Sequence, residues 1–394
     1  MLVFVKFMAI NISMQWYIID LSFNMALRKP CIHAPDLFLC DACKQHKSQL
    51  LETWFNDYDR QTQLPKNFGI ILTIFNEERS DQILNVLIRQ TKIFLDSKGV
   101  STDNIKYIAT KMSDFVSQEP IHDILRLDFA LRAKKQIDGR LCNKVWNNRA
   151  DTALYFCGKP KDKRLNIIKD FSDTGNLHKL TYSLWTPESP HWQKDFISIY
   201  MNNYPAETLD DAKLFIEQHA ICLDYQGSTN ETSDTRKITK QHLSNMPIEV
   251  LSGLGNIQNY FDHGIYQKSC VRIVVETHPG SYTEKTWNSI MNCMPFFYFD
   301  HDYDYFTKLG FQTYNDYVSP GIAEQAIKDS KAMIECVTEF FDAAKNKKSQ
   351  IQEVINYNLN HYEKFCYDQE QKLIEYVGED FYKQNWRYLL NYYW

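Results

Sequence analysis

Residues 272–287 constrain the fold of this 394-residue chain more than any other segment. An apolar run ending at Val275 leads through a turn at Gly280 and Ser281 into a stretch that favours helix. This order predicts a buried strand followed by a helix, as in α/β proteins. The first turn of a helix carries backbone N–H groups without intrahelical partners, at the positive end of the helix dipole. With Lys285 in that turn, the segment predicts a binding site for a nucleotide diphosphate.

The same junction has a second interpretation that needs no ligand. Ser281 and Glu284 have the S-x-x-E spacing of a capping box, which closes a helix N-terminus with side chains of the chain itself. Binding is favoured because Glu276, at the end of the strand, and Tyr282, Glu284 and Lys285, at the start of the helix, converge on one small region. A cap needs only two of these polar groups, so the cap is kept as the alternative.

The junction resembles the donor-binding motif of the α1,3-fucosyltransferases and their viral and bacterial relatives. The matching residues are Val274-Val275-Glu276 and Tyr282-Thr283-Glu284-Lys285-Thr286-Trp287. The similarity continues through residues 294–299 and 306–311, and the basic segment 154–164 is similar in its pattern of charge. This chain has Thr277 where those enzymes usually have Asn, and it has one residue fewer between the Tyr and the Thr. The resemblance therefore identifies neither the sugar nor the base.

The resemblance implies a GT-B fold, an α/β architecture in which two Rossmann-like domains face each other across a cleft. In such enzymes the C-terminal domain holds the nucleotide sugar, and a C-terminal helix commonly crosses back onto the first domain. The chain is accordingly divided into an N-terminal extension (1–65), an acceptor domain (66–150), a nucleotide-sugar domain (151–320) and C-terminal helices (321–394).

Apolar periodicity predicts alternating strands and helices, the order expected of parallel sheets with right-handed crossovers. The predicted strands are 68–75, 106–110, 153–157, 179–184, 271–276 and 295–299, and the predicted helices are 80–96, 162–173 and 282–293. One long amphipathic helix is predicted from Gly321 through Phe340, and a second through about 348–378.

The resemblance also implies which residues hold the donor. They are Lys161, Arg164, Glu276, Tyr282, Thr283, Glu284 and Lys285. Glu284 would hold ribose hydroxyls, Tyr282 would line the nucleotide site, and Glu276 would orient the sugar or buttress the loop. Lys285 and Arg164, with Lys161, would stabilise the departing diphosphate in place of a metal, so no cofactor is required. The alternative for residues 161–164 is that they form the solvent-exposed start of a helix and do not bind the donor.

A transferase also needs a general base that takes a proton from the acceptor hydroxyl. Glu77 and Glu78 follow the predicted strand that ends at Phe75, and the ligands of α/β proteins gather at the carboxyl ends of parallel strands. These two glutamates are the candidate catalytic residues. The alternative is that both are ordinary charged residues on the surface.

Two other functions fit parts of the sequence. Asp300 and Asp302 follow a predicted strand, and carboxylates at that spacing would let a metal-dependent GT-A glycosyltransferase hold Mn²⁺ or Mg²⁺ against a diphosphate. Against this, the Asp-Asp pair expected after the second strand of a GT-A domain is missing after Tyr107. The other function is a non-catalytic protein that binds nucleotide or carbohydrate, because a fold does not fix a function.

Composition indicates a soluble globular protein, with 44% hydrophobic and 24% charged residues. A net charge of −5 does not favour nucleic acid as a partner, so the expected partners are a nucleotide-sugar donor and a glycan or another hydroxyl acceptor. Ten cysteines at irregular spacing favour reduced thiols and a cytoplasmic location.

One cluster of cysteines and histidines has the residue types that bind zinc. The alternative is that its cysteines are buried free thiols. The cluster consists of Cys31, His33, Cys40, Cys43 and His46.

The N-terminal residues allow two interpretations. Residues 2–23 are mostly apolar, but Lys6 and Asp20 leave an uncharged run shorter than the ~20 residues that a membrane span needs. A signal anchor is the less favoured interpretation. The other is that translation starts at Met25, with a loosely attached helix or strand before it.

Overall fold

The computed structural model describes residues 15–20, 68–74, 92–93, 96, 105–109, 121–123, 146, 149–157, 164–184, 190–219, 222–223, 229–230, 266, 268–276, 282 and 284–383. The chain divides into two compact units. The first comprises Met1–Asp128 and Tyr367–Tyr393, and the second comprises Phe129–Cys366 with Trp394. In the part of the chain that is described, no helix has the length and apolar character needed to cross a membrane.

The first unit contains a four-stranded parallel sheet with the order β1-β2-β3-β4. Its strands are β1 (Gln15–Asp20), β2 (Phe68–Ile74), β3 (Ile105–Ala109) and β4 (Ile121–Asp123). The apolar run that predicted a strand from residue 68 forms β2. Residues 15–20 were expected to be loosely attached, but they pair with β2 along their whole length, from Gln15 opposite Phe68 to Asp20 opposite Thr73. A chain that began at Met25 would lack this strand.

The second unit contains another four-stranded parallel sheet, with the order β10-β9-β5-β6. Its strands are β5 (Ala150–Cys157), β6 (Leu180–Leu184), β9 (Ser269–Val274) and β10 (Phe296–Tyr298), and a short antiparallel pair is formed by β7 (Cys222–Leu223) and β8 (Thr229–Asn230). Every residue of β9 is buried, as expected of a parallel strand covered on both faces.

Eight α-helices lie among the described residues of the second unit, and the last of them continues into the first unit. They are α1 (Arg164–Asp173), α2 (Pro190–Asn203), α3 (Leu209–His219), α4 (Glu284–Met291), α5 (Asp304–Lys308), α6 (Ile322–Ala326), α7 (Ser330–Asn346) and α8 (Lys348–Val377). Within the first unit, the end of α8 is joined to the sheet by Lys106 of β3, whose Nζ donates to the carbonyl oxygen of Tyr376 at 2.5 Å. The prediction of a mixed α/β protein with parallel strands and a helical C-terminus is confirmed.

The single helix predicted from Gly321 through Phe340 is wrong, because the chain forms two helices there. α6 ends at Ala326 and α7 begins at Ser330. Between them Asp329 has extended backbone angles, and its carboxylate accepts a hydrogen bond from the backbone N–H of Lys331 at 2.9 Å. An Asp side chain that bonds a nearby backbone N–H stabilises a helix start rather than a helix interior.

Helices cover both faces of the second sheet, and neighbouring residues of β10 identify the two faces. Phe297 contacts Phe340 of α7, with ring centroids 5.4 Å apart. The next residue, Tyr298, points to the opposite face, where its hydroxyl is 3.1 Å from Oγ1 of Thr286 in α4. α1 packs against α7, since Ser330 of α7 hydrogen-bonds the carboxylate of Asp170. Thus α1 and α7 cover one face, and α4 covers the other.

The turn after α5 requires glycine. Gly310 has a φ of +92°, and a Cβ added there would lie 2.8 Å from Nε2 of His361. That imidazole is held in place because its Nε2 is 2.7 Å from the carbonyl oxygen of Leu309 and its ring packs on Phe311. The same turn ends α5 and starts the chain toward α6, so it fixes the connection after β10.

We expect Gly310→Ala to lower the free energy of unfolding by about 2–3 kcal/mol, because it adds a steric overlap to an unfavourable φ. Gly175→Ala is the matched control: Gly175 has a φ of +70°, but no atom of the described residues lies within 4 Å of the added Cβ. It should cost only about 1 kcal/mol. Chemical denaturation of both variants measures the difference. Equal losses would show that the contact with His361 contributes nothing.

Candidate functional site

The order of the strands in the second sheet reverses between β5 and β9. The chain passes from β5 through α1 to β6 on one side, and from β9 through α4 to β10 on the other side. α1 follows β5 and α4 follows β9, so the first residues of both helices lie near the carboxyl ends of the two central strands. The two helices cover opposite faces of the sheet. In open α/β sheets, ligands bind at the carboxyl edge where the strand order reverses. The predicted donor junction, which follows β9, lies at this position.

Two basic residues in the first turns of these helices approach the same residue, Glu276. Arg164 is the first residue of α1, and its Nη2 is 3.4 Å from the carbonyl oxygen of Glu276. Lys285 is the second residue of α4, and its Nζ is 3.9 Å from Oε2 of Glu276. The hydroxyl of Tyr155 in β5 donates to the carbonyl oxygen of Arg164 at 2.8 Å, which ties the start of α1 to the sheet. Of the predicted donor residues, the fold therefore brings Arg164, Glu276 and Lys285 together.

Glu276 makes the contacts of a helix cap. Its side chain is 0% exposed, and its Oε1 accepts hydrogen bonds from the backbone N–H and the hydroxyl of Thr286, at 3.2 and 2.6 Å. Thr286 lies in the first turn of α4, so the carboxylate stabilises the positive end of that helix. Of the two roles that the sequence suggested for Glu276, these contacts support buttressing of the junction. The carboxylate also places a negative charge beside Lys285.

Tyr282 lies inside an aromatic cluster rather than on an open wall. It is 2% exposed, and its ring stacks on Tyr305 at 5.7 Å and meets Phe306 edge-on at 5.8 Å. Burial raises the pKa of its hydroxyl, and the neighbouring carboxylates of Asp302 and Glu276 raise it further. The hydroxyl is therefore protonated at neutral pH. Within the described part of the chain its oxygen has no hydrogen-bond partner, although the backbone N–H of Phe306 approaches it.

Sequence reasoning missed His301. It follows β10 and is 2% exposed, and neither of its ring nitrogens has a hydrogen-bond partner among the described residues. Its ring is 4.9 Å from that of Tyr298 and 5.1 Å from that of Tyr282. Burial lowers the pKa of His301, and the opposing effect of Glu276, Asp302 and Asp300 is smaller, so the imidazole is neutral at neutral pH. The sequence contains one signal for this residue, which is a histidine shortly after a predicted strand. The flanking Asp300 and Asp302 were interpreted as possible metal ligands, and the histidine between them was given no role.

Asp300 and Asp302, the carboxylates proposed for a metal-dependent enzyme, are both exposed. Asp302 Oδ1 accepts a hydrogen bond from the backbone N–H of Asp304 at 3.1 Å, which stabilises the start of α5. Over the described ranges, no group of three or more His, Cys, Asp or Glu side chains is arranged to hold a metal ion.

Several predicted site residues lie outside the described part of the chain. They are the candidate bases Glu77 and Glu78, the donor residues Lys161 and Thr283, and the possible zinc ligands Cys31, His33, Cys40, Cys43 and His46. For Glu284 only the backbone is described, as the first residue of α4. The roles predicted for all of these side chains stay predictions.

Comparison with protein-family models, curated proteins and solved structures found no match to this chain. The chemistry must therefore be inferred from the arrangement itself. It combines two cations at helix starts, a buried glutamate that both of them approach, and a neutral buried histidine beside a tyrosine ring. Cations at helix N-termini suit a diphosphate, and neutral hydrogen-bonding groups suit hydroxyls.

Proposed function

We propose that this protein is a metal-independent glycosyltransferase of the GT-B type. It would transfer a sugar from a nucleotide-diphosphate sugar, with GDP-fucose the donor that the resemblance suggests, to a hydroxyl of a glycan or another acceptor. In this proposal, residues 66–150 form a Rossmann-like acceptor domain and residues 151–320 form the Rossmann-like donor domain. The order β10-β9-β5-β6 supports the donor domain, because it is the order of a doubly wound sheet.

One observation carries the proposal: Arg164 and Lys285, from helices that follow neighbouring strands, approach Glu276 at the carboxyl edge where the strand order reverses. When the bond between the sugar and the diphosphate breaks, negative charge develops on the departing phosphate oxygens. Positive groups fixed near those oxygens stabilise the transition state without needing to reorganise. Two basic side chains and two helix starts supply that charge without a metal ion.

The position of Lys285 is compatible with phosphate binding. Its Nζ lies 3.9 Å from Glu276 Oε2, which is longer than a hydrogen bond. The carboxylate therefore attracts the ammonium without forming a hydrogen bond to it. A phosphate oxygen can approach the ammonium without breaking a hydrogen bond to that carboxylate. The lysine side chain keeps 12% of its surface exposed.

The remaining parts of the mechanism are proposals from the sequence. Glu77 or Glu78 would take the proton from the acceptor hydroxyl as that oxygen attacks the sugar carbon. A cytoplasmic location is proposed from the cysteines, and the burial of five thiols in the second unit supports a reducing compartment. These are Cys157, Cys270, Cys293, Cys336 and Cys366.

The decisive experiment is donor hydrolysis and transfer in the presence of EDTA. The purified full chain is incubated with GDP-fucose, GDP-mannose or UDP-glucose, with and without a mixture of glycan acceptors, and released nucleotide diphosphate is measured. We expect release from at least one donor to persist in EDTA and to fall in Arg164→Ala, while Lys331→Ala, which removes an exposed lysine from α7, retains it. Activity that required Mn²⁺ would favour the GT-A alternative with Asp300 and Asp302. Binding of a nucleotide without turnover would favour a non-catalytic binding protein.

A further inference from the structure

His301 is a buried polar residue that the contacts of the fold leave unsatisfied. A neutral imidazole has one N–H donor and one nitrogen acceptor, and neither has a partner in the described part of the chain. Buried polar groups in folded proteins are nearly always hydrogen-bonded, and leaving one unpaired costs about 1–3 kcal/mol. Water or a polar group of a ligand can supply the partner that such a side chain lacks among the described residues.

Next to His301, the hydroxyl of Tyr282 also lacks a hydrogen-bond partner among the residues that the structure describes. The two rings meet edge-on, 5.1 Å apart and inclined at 85°. The one backbone group that approaches the tyrosine oxygen is an N–H, that of Phe306, so the hydroxyl hydrogen still lacks an acceptor among the described residues. Together these two neighbouring side chains offer hydrogen-bond donors and an acceptor. A ligand hydroxyl, which both donates and accepts, matches that combination.

The pair lies next to the cationic part of the site. Glu276 is close enough to influence the titration of both His301 and Tyr282, and it is the same residue that Lys285 and Arg164 approach. The two neighbouring regions differ in charge, because the lysine and arginine carry full positive charges whereas the histidine is neutral. The cations suit phosphate oxygens, and the neutral pair suits an uncharged polar group of the same ligand.

We propose that His301, assisted by Tyr282, binds a hydroxyl group of the nucleotide-sugar donor at the carboxyl ends of β9 and β10. This assignment rests on the proposed function and deepens it, since it names a specificity-determining contact for the donor. The hydroxyl belongs either to the transferred sugar or to the ribose.

The test uses His301→Phe, which keeps an aromatic ring of similar size but removes both ring nitrogens. Affinities for GDP and GDP-fucose are measured by calorimetry, and thermal unfolding is recorded without ligand. We expect about tenfold weaker binding of GDP-fucose, with ligand-free stability unchanged or raised because an unsatisfied buried group has been removed. A loss for GDP-fucose alone would assign the hydroxyl to the sugar, and equal losses for both ligands would assign it to the ribose.

Two further variants make the result independent of a single substitution. Tyr282→Phe removes only a hydroxyl and should weaken GDP-fucose binding in the same direction. His301→Gln keeps a donor and an acceptor and should recover part of the affinity lost in His301→Phe. A residue with a purely structural role would show no such recovery in affinity.

His219→Phe is the matched control. This histidine is also buried, but its ring nitrogens lie 3.3 Å from the hydroxyl of Tyr182 and 3.4 Å from that of Ser172. Its replacement should lower stability and leave both affinities unchanged. Unchanged affinities in His301→Phe would mean that the pair binds no group of the donor, and the assignment would be overturned while the proposed function survived. Failure of the wild-type chain to bind GDP or GDP-fucose would overturn the assignment, and the absence of release from any nucleotide sugar would separately overturn the proposed function.

Discussion

Lys285→Ala is expected to weaken GDP binding by about 10- to 100-fold, since a hydrogen bond to a charged group contributes about 1.5–3 kcal/mol. Binding of guanosine should change little, because only the phosphates meet the ammonium. The measurement is calorimetric titration of wild type and variant with both ligands. It tests the central claim of the proposed function, that the start of α4 binds a diphosphate.

Two variants control for trivial causes of that loss. Lys331→Ala removes the same charge from an exposed position on the opposite face of the sheet and should leave both affinities unchanged. Lys285→Arg keeps the charge and should retain much of the affinity for GDP. Equal losses for GDP and guanosine in Lys285→Ala would contradict phosphate binding and would point to a distorted junction.

Glu276→Ala should lower the free energy of unfolding by about 3 kcal/mol. The substitution removes the acceptor for two donors of Thr286, one of them the backbone N–H in the first turn of α4, at a position where both residues are buried. It also leaves the ammonium of Lys285 without its neighbouring carboxylate. Urea denaturation of the two proteins measures the difference.

A double-mutant cycle with Thr286→Val separates the hydroxyl contact from the backbone contact. In the Thr286→Val background, Glu276→Ala should lower the free energy of unfolding by less than it does in the wild type. The reason is that the 2.6 Å hydrogen bond from the Thr286 hydroxyl is absent both before and after the second substitution. Glu276→Gln keeps an acceptor of nearly the same shape and should cost less than the alanine variant. A cost below about 1 kcal/mol for Glu276→Ala would show that the carboxylate is not an important cap of α4.

The two substitutions, Lys285→Ala and Glu276→Ala, separate the interpretations that the sequence left open at this junction. A helix cap and a phosphate site are compatible here, because Glu276 provides the cap and Lys285 provides the charge for a ligand. Loss of stability should follow the replacement of the glutamate, and loss of phosphate affinity should follow the replacement of the lysine. If both variants changed stability alone, the capping interpretation would account for the whole junction.

Strands were predictable because a parallel strand covered on both faces must be apolar at nearly every position, which is a local property of the sequence. This is why the runs beginning at residues 68 and 153 were recognised. The break between α6 and α7 was missed because the apolar spacing continues across it, although Asp329 and Ser330 are typical of a helix start.

Arg272 is a residue whose environment such local patterns do not predict. It is buried in the middle of β9, and its Nη1 donates to the hydroxyl of Tyr266, to the carbonyl oxygen of Lys285 and to the hydroxyl of Ser289. None of these partners is its neighbour in the chain. A charged residue in an apolar run is therefore tolerated for reasons that only the packed structure contains.

The sequence by itself determined the strand at residues 269–274 and the helix at residues 284–291, together with the basic residue in the first helical turn, because each depends on neighbours within a few positions. Only the tertiary structure decided that β5 lies beside β9, which brings Arg164 to Glu276 across 112 residues of chain, and that His301 lies against Tyr282. The order of strands in a sheet is set by how the crossover helices pack on its two faces, and that packing depends on contacts between distant segments.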